Sequence, residues 1–139
     1  MEALREPAAD TDKNESVSAL EAFRYAQAKT TEFFDTQKRL ATEHSVIEDT
    51  GKGMGERAAT AENGEGKLAG AFTVVRLGAN DAAARDPNKR PLLDKKEQLE
   101  QAIEKLKFEK AAMPAQEYKR QLTQLLLELA KTQEALDKP

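Results

Sequence analysis

At 139 residues the chain is long enough for one domain, or for one small domain with a helical extension. Hydrophobic residues make up 39% and aromatics 5%, with no Trp, which excludes a large core; a charged fraction of 34% suits packed helices better than a sandwich or barrel. The net charge of -3 is spread over both signs, and no basic block is present to neutralise phosphates, so nucleic acid is not an expected partner.

The absence of Cys removes disulfides, thiolate nucleophiles and cysteine metal sites together. The first residues, Met1 to Arg5, contain no apolar run of the signal-peptide kind, and no stretch reaches the length of a membrane span. The chain by itself reads as soluble.

Asp10, Asp12 and Asn14 stand at alternate positions in "DTDKNESVSALE", and Glu21 closes the stretch. This is the spacing of an EF-hand calcium loop. Position 7 is Ser16, offering its backbone carbonyl; position 9 is Ser18, acting through water; and position 12 is Glu21, the bidentate carboxylate. Val17 fits position 8, where an apolar residue anchors the loop. Position 6 departs from the pattern, because Glu15 stands where Gly normally supplies a positive φ. A left-handed non-Gly residue costs roughly 1–2 kcal/mol, so any calcium site is expected to be weak. The segment before Pro7 is a poor entering helix, and no second loop is expected to pair with this one. The alternative is a polar turn rich in Asx residues, with Glu21 serving only the helix cap.

From Val17 to about Glu43 there is no Gly or Pro, and Val17, Leu20, Phe23, Phe34 and Ala41 recur at helical intervals. Ser18 and Glu21 form an S-x-x-E capping box at the start. Phe33, beside Phe34, widens the apolar face beyond what one neighbour covers. Residues 45–66 then hold five of the seven glycines, which predicts a long mobile loop. "DTGKG" and "GEGKLAG" within it have the look of nucleotide-binding turns. They lack the preceding strand that such turns need, so a flexible linker is the better reading. His44, the only histidine, is expected at the helix C-terminus, where it meets the helix dipole. With no Cys and no placed Ser partner it assembles no nucleophile, and the chain reads as non-enzymatic.

A second helix is predicted over 67–85, from the stripe Leu68, Phe72, Val75, Ala79 and Ala82, ended by Asp86-Pro87. Pro91 opens a third, with Leu92, Leu99, Leu106 and Met113 seven apart and Ile103 joining them. Pro114 opens a fourth, with Tyr118, Leu122, Leu125, Leu129, Thr132 and Leu136 alternating by four and three. The last two predict an antiparallel helical hairpin of coiled-coil type. The expectation is therefore an all-α fold of about four helices, divided into residues 1–86 and the hairpin 87–139. Leu125, Leu126 and Leu127 point about 100° apart, so one seam cannot bury all three. Phe33, Leu126 and Leu127 are the expected interaction surface, for self-association or for a protein partner.

The stretch Glu2 to Ala26 with its V-S-x-x-E-A-x-x-Y-A pattern at Val17 to Ala26, the run Thr42-Glu43-His44 followed by Glu48, Asp49, Gly51 and Gly53, and the final helical pair from Ala111 to Leu136 resemble the region after the peptidase core in bacterial legumain-like or caspase-like cysteine peptidases. The resemblance implies a C-terminal accessory region. The family's catalytic His and Cys would lie upstream, and no cysteine is present here to take that role. It also implies a calcium-like loop, a peptidase core as possible partner, and an extracytoplasmic setting.

Overall fold

The computed structural model describes residue 4, residues 6–60 and residues 62–138. The expected poor entering helix before Pro7 falls mostly outside these residues. The chain divides into two compact units, Met1–Arg76 and Leu77–Pro139.

The first unit is built on a two-stranded antiparallel sheet, so the fold is mainly α rather than purely all-α. A 3-10 turn at Pro7–Ala9 leads through the Asp-rich loop into strand β1, Ser16–Ser18, and helix α1, Ala19–Thr36. Strand β2, Thr73–Arg76, pairs with β1 in the register Ser16↔Arg76, Val17↔Val75 and Ser18↔Thr73, with an irregularity between Val17 and Ser18. Val17 is fully buried at the centre of this pairing. The single helix expected over 67–85 is therefore two helices, α2 at Lys67–Ala71 and α3 at Gly78–Arg85, with β2 between them. Thr73, Val74 and Val75 are consecutive β-branched residues. Their stiff side chains suit a pleated strand and crowd a helical turn. Leu68 and Phe72, which the helical stripe placed inward, are exposed.

Helix α1 starts at its capping box. The backbone N–H of Glu21 donates to Ser18 Oγ, and the Ser18 backbone N–H donates to Glu21 Oε2. It ends at Thr36, seven residues before the expected Glu43. Lys38 takes the left-handed conformation, with φ 51°. Its N–H donates to the Asp35 carbonyl and that of Arg39 to the Phe34 carbonyl. This is a Schellman stop with Lys where Gly is usual, so no glycine marks it in the sequence.

The described residues of 37–66 contain no helix or strand, yet they are tied down in part. Ile47 and Glu56 exchange both backbone hydrogen bonds at 2.8 Å. The buried carboxylate of Glu65 accepts from the Asp49 N–H at 2.7 Å and from Thr50 Oγ1 at 2.8 Å. Asp49 in turn accepts from the N–H groups of Gly66 and Ala69, which fixes the first turn of α2. Gly66 has φ 86°, and a Cβ there would stand 2.6 Å from the Ala59 Cβ. Only glycine satisfies both demands.

In the second unit α3 packs on α4, Arg90–Glu109, which packs on α5, Ala115–Asp137. Ala83, Leu93 and Leu136 form a core cluster, with Leu99, Ile103 and Leu106 buried further along α4. The buried edge of α4 begins at Leu93, where the heptad placed Leu92. Lys96 is also buried, its Nζ donating to the buried Asn80 Oδ1 at 3.2 Å. Leu125 and Leu129 are half-buried. No helix among the described residues is long and apolar enough to cross a membrane.

Two outcomes test this packing in urea denaturation. Leu93→Ala and Leu106→Ala should each destabilise by about 2–5 kcal/mol, and the half-buried Leu125→Ala by less. Gly66→Ala should destabilise by at least about 1 kcal/mol, from its left-handed backbone and the crowded Cβ.

Candidate metal centre

The Asp-rich loop gathers three acids. Single oxygens of Asp10, Asp12 and Glu21 lie within 4.8 Å of one another, a group that could hold a metal ion. Asp10 and Glu21 are buried, whereas Asp12 reaches solvent.

Local hydrogen bonds set the loop's shape. Asp10 accepts from the Asn14 N–H through Oδ1, at 3.2 Å, and from the Glu15 N–H through Oδ2, at 3.1 Å. Asp12 accepts from Asn14 twice, from the backbone N–H at 3.2 Å and from Nδ2 at 3.3 Å. Asn14 Oδ1 accepts from the Ser16 N–H at 2.8 Å, forming an Asx turn that delivers the chain to β1. Glu15 has φ 63° and Lys13 φ 61°. The loop thus makes its left-handed turn at position 6 with a Glu, at the steric cost that glycine avoids.

Glu21 is the most heavily used. Its Oε1 accepts from the Thr11 N–H at 2.8 Å and from Thr11 Oγ1 at 2.9 Å. Its Oε2 accepts from the Ser18 N–H at 2.9 Å and from Ser18 Oγ at 2.8 Å. Four donors fill the roughly four lone-pair sites of a carboxylate. Two of those donors are hydroxyls, which can rotate and free one lone pair on each oxygen. The two backbone donors would stay, and the carboxylate would present both oxygens. Asp10 and Asp12 carry one protein donor per oxygen and so keep lone pairs free.

The electrostatics favour a cation. Among the described residues no Lys or Arg forms an ion pair with Asp10, Asp12 or Glu21. Burial, and then the neighbouring Glu21 and Asp10 charges, push the Asp12 carboxyl up from 3.8 to about 6. Burial also pushes Glu21 up, but the hydrogen bonds from Ser18 and then Thr11 outweigh it and hold this carboxyl below its ordinary value.

Of the six residues read as calcium ligands, Asp10, Asp12 and Glu21 are brought together as carboxylates. Asn14 and Ser16 are linked to each other in the turn, and Ser18 is the helix N-cap. His44 is exposed and lies beyond the end of α1 rather than at its last turn. Phe33 and Leu127 are each 58% exposed and Leu126 is 48% exposed. Phe33 stacks edge-on against Phe34, with centroids 5.7 Å apart. Sequence spacing gave no sign of Thr11, whose hydroxyl and N–H close the loop onto Glu21. Nor did it show β2, which gives the loop the partner strand that was not expected. Comparisons with protein-family models, with curated proteins and with solved structures find no match.

The raised Asp12 pKa gives the metal-free fold a definite pH response. The group binds its proton more tightly folded than unfolded, so its contribution favours folding below pH 3.8 and is lost as pH rises through about 6. Thermal melts in chelator should show wild type losing stability relative to Asp12→Asn across that window. Only the part of the difference set by the Glu21 and Asp10 charges should shrink at high salt.

Proposed function

We propose that the Asp-rich loop is a degenerate EF-hand-like calcium site in a non-enzymatic accessory domain. One observation carries this reading: three carboxylates converge from a loop whose sixth residue, Glu15, turns left-handed. Calcium prefers six to eight oxygens. The residues that would hold it are Asp10, Asp12, Asn14 and Glu21, with Ser16 through its carbonyl and Ser18 through water. The ion would neutralise three mutually repelling acids and tie the loop to the start of α1. Hard oxygen donors without His or Cys fit calcium or magnesium rather than zinc or copper. Acceptance of both oxygens of Glu21 favours the larger ion.

Calorimetry with calcium chloride should give a dissociation constant of about 10⁻⁴–10⁻³ M, the range of weak extracellular modules. Glu15→Gly should tighten binding by up to about tenfold, by removing the left-handed cost, and Asp10→Ala should abolish it. Backbone NMR shifts that saturate with calcium should centre on residues 10–21. No heat from either wild type or Glu15→Gly would leave Glu21 as a helix cap alone.

A second reading, a helical-hairpin interaction module without a metal site, is favoured by the exposed apolar side chains. Leu126 and Leu127 on α5 stand in water, as does Phe33 on α1. In this reading α4 and α5 form an antiparallel hairpin, and its outer face meets a second copy or a protein partner. By the sequence resemblance, the partner to try first is a caspase-like peptidase core. Sedimentation at rising concentration, repeated with Leu126→Lys and Phe33→Lys, separates the surfaces. Association lost in either variant without loss of helical signal identifies the face involved, and a strict monomer that binds no peptidase core removes the reading.

A further inference from the structure

The segment between the end of α1 and Ile47 is sparsely bonded. Among the described residues the backbone beyond Arg39 meets no hydrogen-bond partner until Ser45, whose carbonyl and hydroxyl accept from Gln27 Nε2 at 3.5 and 3.4 Å. Residues 40–44 make no hydrogen bond or ion pair among the described residues. Leu40 is 92% exposed, a large apolar side chain standing alone in water. Lys38 and Arg39 come just before it, the first in a left-handed conformation that an L residue adopts at a cost.

We infer that the Arg39–Leu40 bond is an endoproteolytic processing site for a Lys/Arg-specific peptidase, one whose specificity pocket carries an acidic group. Such an enzyme must hold several residues on each side of the bond in an extended strand. Over residues 40–44 nothing has to be broken to supply that strand. On the other side only the last turn of α1 must unwind, and the left-handed Lys38 makes that turn weak. The peptidase adds one water across the amide, leaving a carboxylate on Arg39 and an ammonium on Leu40.

Among the described residues the competing basic residues in loops and turns are held, Lys89 by its Nζ on the Leu136 carbonyl at 3.0 Å. Lys52 donates its N–H to Glu48, and its Nζ reaches the Asn63 carbonyl. The Arg57 carbonyl accepts from Gln27. Lys13 lies inside the carboxylate-bonded turn between Asp10 and Asn14. Lys110 sits in a 3-10 turn that continues α4.

Cleavage would leave the first unit joined. Residues before the cut carry β1 and those after it carry β2, so the Val17↔Val75 ladder spans the nick. The Ala19 N–H bond to the Phe72 carbonyl at 2.9 Å and the Gln27 bond to Arg57 at 3.0 Å span it too.

The test is brief digestion of the full chain with dilute trypsin, followed by intact-mass measurement. The first products should be residues 1–39 and 40–139, a single bond in a chain with 22 Lys and Arg. They should elute together in size exclusion and separate in denaturant. A Lys38→Gln/Arg39→Gln variant, with unchanged circular dichroism, should lose this first cut and be digested at least about tenfold more slowly, since its other sites need local opening. A first cut at any other bond, whether after Lys13, Lys52, Arg57, Lys89 or Lys110, overturns the inference. So does an unchanged digestion rate in the double variant, or fragments that separate without denaturant.

Discussion

The carboxylate of Glu21 is the joint on which the first unit depends. It sits at the third position of α1, where a capping acid satisfies backbone donors that the helix cannot. It also reaches back ten residues to Thr11. One side chain therefore starts the helix and closes the Asp-rich loop. The arrangement has a cost: a buried carboxylate is tolerable because four donors surround it, but its neighbours Asp10 and Asp12 bring like charge close. A cation bound here would draw on the same lone pairs that serve the cap, and rotation of the Thr11 and Ser18 hydroxyls is what would release them.

The two units solve a shortage of large apolar residues differently. In the first, acids do much of the organising. Glu21 and Asp49 each gather two backbone N–H groups, and Glu65 accepts the Asp49 N–H and the Thr50 hydroxyl. In the second, aliphatic side chains of α3, α4 and α5 supply the core, with the buried Lys96–Asn80 contact set among them. Among the described residues every buried side-chain nitrogen or oxygen has a partner, the condition under which such polar interiors hold.

What could be read from the sequence was what is encoded locally. The D-x-D-x-N spacing and the S-x-x-E cap act over a few residues, so Asp10, Asp12 and Glu21 could be named together and the start of α1 placed within two residues. The end of α1 could not, because Lys38 fills a position that composition assigns to glycine. Strand β2 was hidden by accident of spacing, since Leu68, Phe72 and Val75 also fit a helical stripe. The β-branched run from Thr73 to Val75 was the available clue. Asp49 and Glu65 read as part of a loose loop because their hydrogen bonds reach 15 to 20 residues away, a distance over which periodicity carries no information. Likewise, the charge of Lys96 concealed a buried position.

The pairing of Val17 with Val75 has a consequence for the order in which the chain acquires structure. The Asp-rich loop lies near the start of the chain, but the strand that supports it comes 58 residues later (75 − 17). As the chain is made from its N-terminus, the acids emerge long before that strand does. Local hydrogen bonds can bend the loop early, whereas its anchoring to the sheet must wait for a long-range closure of the kind that slows folding. A short motif legible from a dozen residues is thus completed only when most of the first unit has left the ribosome.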